Sequence, residues 1–307
     1  MRDGWGNMGR EMAGFREALQ SGQVLLMDGA MGTELQRASL QPGECGEFWN
    51  LAEPERVRAI HQAYVDAGAQ CLLTNTFQAN PTALAKHGKS EHWEAINHSG
   101  LELARLVAGP DRFVLADIGP IEQEWRRQPM VQVVQSLRTA DAILLETYSD
   151  LHSLWAVKYA CLPSLEADGV PVLLSVTYRR TADGVLTTHG GQPPEVYGRL
   201  ARQYGVTALG VNCGRDIGMG EIIEILRRYR QVTDLPLFAR PNAGTPMRGP
   251  NGWVHPQTPT EMAARLPELL ETGVAMVGGC CGTTPAHIAA FRPIVDEWNA
   301  RNCREGI

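Results

Sequence analysis

Eight short apolar runs recur along the chain, and each passes directly into polar or small residues. Val24–Met27 leads into Asp28-Gly29-Ala30-Met31-Gly32-Thr33, Cys71–Leu73 into Thr74-Asn75-Thr76-Phe77, and Phe113–Ala116 into Asp117-Ile118-Gly119-Pro120. Ala142–Leu145 leads into Glu146-Thr147-Tyr148, and Val172–Leu174 into Ser175-Val176-Thr177-Tyr178. Ala208–Val211 leads into Asn212-Cys213-Gly214, Leu237–Ala239 into Arg240-Pro241-Asn242-Ala243-Gly244, and Val274–Val277 into Gly278-Gly279-Cys280-Cys281-Gly282. Runs that are continuously apolar rather than alternating suit parallel strands buried on both faces. Between them the apolar residues take helical spacing, over 53–67 (Val57, Ile60, Tyr64), 194–204, 219–230 (Ile222, Ile223, Ile225, Leu226) and 260–271 (Met262, Leu266, Leu269, Leu270). Pro259-Thr260-Glu261 and Thr284-Pro285 read as helix starts. Strand and helix repeated eight times predict an α/β fold, a single (β/α)8 TIM-type barrel with its active site at the C-terminal ends of the strands. One domain is expected over residues 1–307, with 1–20 as an N-terminal helical extension (Met12, Phe15, Leu19). The competing architecture is a doubly wound open sheet, which lines the polar strand ends along a crevice instead of a ring.

Composition narrows the class of function. The chain has 307 residues, 44% of them hydrophobic and 20% charged, a globular balance with ample material for a core. A net charge of −6 disfavours nucleic acid, whose phosphates call for a basic face. No run approaches 18 apolar residues, so no membrane span is expected, and Met1–Asn7 carries no apolar signal core. A cytoplasmic location is the expectation. Seven cysteines (45, 71, 161, 213, 280, 281, 303) make an odd set without small-domain spacing, which argues against a disulfide framework.

The strand endings carry the candidate chemistry, because a barrel gathers them on one rim. Adjacent side chains of a regular strand point to opposite faces, so Cys280 and Cys281 share a target only if the flanking glycines bend the backbone. Cys213 ends the sixth strand and joins them on the same rim. Three thiolates suit Zn²⁺ and leave a fourth position for a substrate, where a coordinated thiol is deprotonated outright. Two plainer readings compete: small buried hydrophobes, the class expected for Cys45, Cys71, Cys161 and Cys303, or a redox pair at Cys280-Cys281. The Asp28-Gly29-Ala30 turn offers backbone N–H groups to a carboxylate, or is an ordinary tight turn. Glu146 closes a strongly apolar strand and needs a cationic partner, either a substrate ammonium or a structural arginine. Asn75, Asp117, Ser175 and Asn242 end other strands and are candidates for further hydrogen bonds. Of the histidines, His61, His87, His92 and His98 fall in helical or loop segments without metal spacing. His189 and His255 fall in the long loops 179–193 and 244–258 as surface residues.

Taken in order, Asp-Gly-Ala-Met-Gly-Thr at 28–33, Thr-Asn-Thr-Phe at 74–77, Leu-Leu-Glu-Thr at 144–147, Asn-Cys at 212–213, Pro-Asn-Ala-Gly at 241–244 and Gly-Gly-Cys-Cys-Gly-Thr-Thr-Pro at 278–285 resemble the homocysteine S-methyltransferases. The likeness runs over about residues 20 to 295, and its motifs look most like the homocysteine module of cobalamin-dependent methionine synthase. It implies a (β/α)8 barrel that binds zinc through Cys213, Cys280 and Cys281 and methylates the homocysteine thiol to give methionine. The substrate amino group would lie near Glu146, its carboxylate near the 28–33 turn, and Asn242 close to the metal.

Donors in such enzymes include methylated corrinoid or folate partners, S-methylmethionine and betaine. Gln78 and Thr147 stand where betaine enzymes carry aromatic residues, which counts against a quaternary ammonium donor. With 307 residues there is no room for folate or corrinoid modules, so the expected donor is a separate corrinoid protein or a small onium compound. The alternative to an enzyme is a non-catalytic homocysteine- and zinc-binding subunit that works only with a methyl-corrinoid protein.

Overall fold

The computed structural model describes residues 14–121, 127–165, 169–214, 216–249 and 252–305. All eight apolar runs are strands: β1 (Leu25–Leu26), β2 (Cys71–Leu73), β3 (Phe113–Ile118), β4 (Ala142–Tyr148), β5 (Val172–Val176), β6 (Ala208–Asn212), β7 (Leu237–Arg240) and β8 (Val274–Val277). They pair in parallel in the order β1-β8-β7-β6-β5-β4-β3-β2. A bridge from Met27 to Cys71, with Asp28 N–H donating to the Cys71 carbonyl at 2.9 Å, joins β1 to β2 and closes the ring. The open doubly wound sheet is thereby excluded.

Side-chain parity divides each strand between two cores. Leu26, Leu72, Val114, Ile143, Leu145, Val172, Leu174, Leu209, Val211 and Leu237 face outward into one apolar layer shared with the helices. Leu25, Met27, Cys71, Leu73, Phe113, Leu115, Ala142, Leu144, Leu173, Ala208, Phe238 and Met276 fill the barrel interior. Gly210 lies on the same inward parity, and a Cβ there would meet the Phe238 ring at 2.4 Å. Glycine in β6 is therefore what lets a phenylalanine from β7 occupy the axis.

The described part of the N-terminal extension is a helix over Phe15–Gln20; the rest of the predicted 9–20 stretch lies outside the described residues. Phe15 and Leu19 join the interior core, and the Phe15 ring meets Phe113 edge-on with centroids 5.1 Å apart. This helix plugs the end of the barrel away from the polar strand endings. The helices predicted over 53–67, 194–204 and 219–230 form as Pro54–Asp66, Pro194–Gln203 and Met219–Arg230. The one predicted over 260–271 is split into Pro259–Ala264 and Leu266–Leu270. Pro267 has no N–H to continue the first helix and starts a second, while Thr258 and Glu261 cap the first reciprocally. The two long loops each carry a short hairpin, Arg179–Arg180 with Leu186–Thr187 and Met247–Gly249 with Gly252–Val254. Among the described residues no helix is long and apolar enough to cross a membrane.

Candidate functional site

Above the apolar layers the inward parity continues into polar residues. The series Phe113, Leu115 ends in Asp117, the series Ala142, Leu144 in Glu146, and Leu173 is followed by Ser175. On β6 it reaches Asn212 and on β7 Arg240. These side chains therefore share the mouth of the barrel, where all five are buried.

The sulfur cluster sits at the rim. Cys213 Sγ lies 3.9 Å from Cys281 Sγ, Cys281 lies 4.0 Å from Cys280, and all three sulfurs fall within 4.8 Å of one another. Two local devices bring them together. Cys213 leaves β6 in a left-handed conformation, φ 51°, which turns its side chain back over the mouth. After β8 the chain is stitched to both neighbours: Gly279 N–H donates to the Asp28 carbonyl, Cys280 N–H to Pro241, and Ala243 N–H to Cys281. Gly282 then turns with φ +79°, and a Cβ there would meet His255 at 2.2 Å. The bend that lets neighbouring cysteines converge thus depends on a glycine packed under a half-buried histidine rather than a surface one.

Four sulfur ligands of zinc at about 2.3 Å in a tetrahedron stand about 3.8 Å apart. The two shortest separations in the cluster are close to that spacing, so the donor set and its geometry both fit the ion. In the free thiol state, hydrogen bonds from Cys280 and Cys281 hold the Cys213 thiol down to about 3. The bond with Cys213, aided by burial, pushes Cys280 up to about 11, and bonds with both neighbours push Cys281 further still. Asn212 donates to Cys280 Sγ at 3.7 Å, and its oxygen accepts from Ser175 Oγ at 2.6 Å. Its amide nitrogen also holds Thr147 Oγ1 at 2.8 Å, bracing a residue kept at φ 65° at the end of β4. Ser175 thus orients Asn212. Asn242 is buried beside Cys213 and helps lower its thiol, but neither of its amide atoms has a partner at hydrogen-bond geometry.

Beside the sulfurs, and reached through β7 between their strands, lies a buried ionic group. Arg240, 3% exposed, is ion-paired with Glu146, reaches Asp28 Oδ1 at 3.4 Å and donates to the Gly29 carbonyl at 3.1 Å. The place opposite Glu146 is therefore filled by an arginine of the chain itself. Asp28 also accepts from the Leu73 N–H at 2.8 Å. Burial pushes the Asp28 and Glu146 carboxyls each up to about 7, with Arg240 pulling the other way. Asp117 is raised further, by burial and by the neighbouring Glu146 charge. Stripping a buried charge of its partner costs about 3–5 kcal/mol, which sets the scale for what Arg240 contributes here.

The remaining candidates divide. The Ala30 N–H of the 28–30 turn is taken by Thr283 Oγ1 at 3.1 Å, and Asn75 is bound to Asn50 Oδ1 and the Gly46 carbonyl, each at 2.9 Å. Cys71 lies in the lower barrel core, far from the rim, and Cys161 is buried, whereas Cys45 is half-buried and Cys303 exposed, contrary to their expected class. His61 is fully buried without a partner for either ring nitrogen, and burial lowers it to about 4. Asn212 and Arg240 were not singled out from the sequence. Their shared parity with the inward apolar residues was the available signal.

Comparison with known proteins agrees with this layout. The homocysteine S-methyltransferase family model matches residues 25–295. Methionine synthase of Mycobacterium tuberculosis is 34% identical over 294 residues, covering 87% of this chain and 24% of that protein. Methionine synthase of Mycobacterium leprae is 33% identical over 303 residues, covering 90% of this chain and 25% of that protein. The chain thus spans about a quarter of the length of these curated relatives. The homocysteine methyltransferase MmuM from Escherichia coli, in its metallated form, superposes with a TM-score of 0.73 at 27% identity, covering 92% of this chain and 100% of that one. Its oxidized form gives 0.70 at 26% identity, covering 91% and 98%. With its barrel, its rim cysteines and its motifs in this order, the chain belongs to the homocysteine S-methyltransferase family.

Proposed function

We propose that this barrel transfers a methyl group to the thiol of homocysteine, giving methionine, with zinc held by Cys213, Cys280 and Cys281. The observation that carries the reading is the three-sulfur cluster at the rim, with separations of 3.9 and 4.0 Å that suit one tetrahedral ion. Zinc held by these three cysteines would supply the positive charge that favours the thiolate form of an incoming thiol. The chain's own residues do the rest. Asn212, held by Ser175 and Thr147, fixes Cys280, and Asn242 borders the position facing the substrate sulfur. The amino group is received on the acidic side of the mouth, and the 28–33 turn lies toward the carboxylate. In the transfer, a carbon–sulfur bond forms at the substrate sulfur as the methyl–donor bond breaks, its electrons leaving with the donor.

The donor is either a small onium compound such as S-methylmethionine or a methyl-corrinoid on a separate protein. Both are donors that the family resemblance implies, and the likeness to MmuM and to one quarter of methionine synthase favours neither. The test is metal content together with turnover of homocysteine against S-methylmethionine, S-adenosylmethionine, betaine and methylcobalamin. Wild-type chain is expected to carry about one zinc and to form methionine with at least one donor. Cys280→Ser is expected to lose most of the metal and at least a hundred-fold in rate, the scale for removing a group that activates the nucleophile. Full zinc and normal turnover in that variant would refute the assignment. Zinc and homocysteine binding without turnover of any free donor would instead identify a subunit that serves a corrinoid partner.

A further inference from the structure

The mouth of the barrel holds more buried carboxyl groups than its own cations match. Asp28 (2% exposed), Asp117 (6%) and Glu146 (7%) face a single buried cation, Arg240. That cation is committed, since it pairs with Glu146 and Asp28 and donates to the Gly29 carbonyl. Asp117 is left over. Its Oδ1 is buried without a hydrogen-bond partner, although its backbone N–H is held by Thr74 Oγ1 at 3.0 Å. A second atom of the pocket is also unmatched: Arg240 Nε is buried with no acceptor. Buried polar atoms without partners are uncommon in folded chains and call for an explanation, which at a binding mouth is a ligand that completes the bonding.

We propose that Asp117, not Glu146, anchors the α-ammonium of the substrate, because Arg240 permanently occupies the cation position between Glu146 and Asp28. The inference rests on the proposed homocysteine reading and specifies its ammonium subsite. Asp117 brings a carboxylate with a free acceptor, and an arriving ammonium supplies the missing positive charge. Cys280 lies near enough for its charge to bear on Asp117, so ammonium and thiol of one small amino acid fall within the same mouth. Arg240 becomes a specificity residue: by satisfying Glu146 from within the protein, it moves amino-acid recognition from β4 to β3. The reading predicts strong discrimination against thiols that lack the amino group, because Asp117 would then stay buried and unpaired.

The experiment measures equilibrium binding of L-homocysteine and of 4-mercaptobutyrate, the same thiol without its amino group, to the metal-loaded protein. Wild type is expected to prefer homocysteine at least ten-fold. Asp117→Asn is expected to bring the two affinities within about three-fold, with 4-mercaptobutyrate bound as in wild type and metal content unchanged. Asp117→Glu, which restores the charge, is expected to recover part of the preference, and Glu146→Gln to keep it. A preference that survives Asp117→Asn but disappears in Glu146→Gln overturns the proposal, as does a wild type that binds both thiols equally. Should wild type bind neither thiol, the homocysteine reading itself fails, an outcome distinct from the retention of preference in Asp117→Asn. If Asp117→Asn does not fold, Asp117→Glu decides: a preference undiminished by moving the carboxylate one methylene outward counts against Asp117.

Discussion

Asp28 holds its proton far more tightly in the folded barrel than an exposed carboxylate does. Its value near 7, against an ordinary 3.8, reflects burial that Arg240 and the Leu73 N–H only partly offset. Between about pH 4 and pH 7 the unfolded chain has released this proton and the folded chain retains it. The folded state then binds more protons, so this residue's contribution makes stability fall as pH rises through that window and level off above it. The slope is at most about 1.4 kcal/mol per pH unit. Asp28→Asn removes the term, so urea unfolding should show the variant gaining on wild type between pH 4 and pH 7. A difference that stays constant with pH would show that Asp28 is ionised throughout. At this scale the sequence was informative where residue type and strand end coincide, as at Cys213, Cys280, Cys281 and Glu146. It did not show which charge answers Glu146. An arginine just before Pro241 reads as an ordinary polar strand ending until the register of β7 turns it inward, and its partners lie on β4 and β1.

Among the elements, the loop after β8 is tied on both sides. Its backbone is bonded to the ends of β1 and β7, and Gly282 adopts a positive φ directly beneath His255. Gly282→Ala therefore adds a left-handed backbone penalty of about 1–2 kcal/mol and a side chain where none fits. It should lower the urea midpoint and displace Cys281, so that zinc content falls together with stability. Full metal occupancy in a stable Gly282→Ala chain would show that the loop tolerates another path. The eight strands were legible because a parallel barrel buries both faces and leaves continuous apolar runs. Helix 260–271 was legible in position but not in continuity, since its apolar spacing continues across a proline that its hydrogen bonds cannot cross. The hairpins within the long loops, Arg179–Arg180 with Leu186–Thr187 and Met247–Gly249 with Gly252–Val254, carry no alternating pattern that would have announced them.

For the molecule as a whole, the packed barrel interior, closed below by Phe15 and Leu19, leaves one face open to ligands. Apolar side chains fill the interior, with Phe238 on the axis, so ligands reach the rim sulfurs only from the face that carries the polar strand endings. On the proposed reading, an acceptor seated among the rim sulfurs and the buried carboxylates must arrive before the donor above it, and its methylated product leaves last. Initial-rate kinetics should therefore be ordered, with methionine competitive against homocysteine and noncompetitive against the donor. Random addition, with methionine competing against the donor instead, would mean that the rim opens wide enough to let the two pass. The apolar fill of the barrel, remote from every reacting atom, would then set the kinetic order of the proposed reaction by leaving it a single approach.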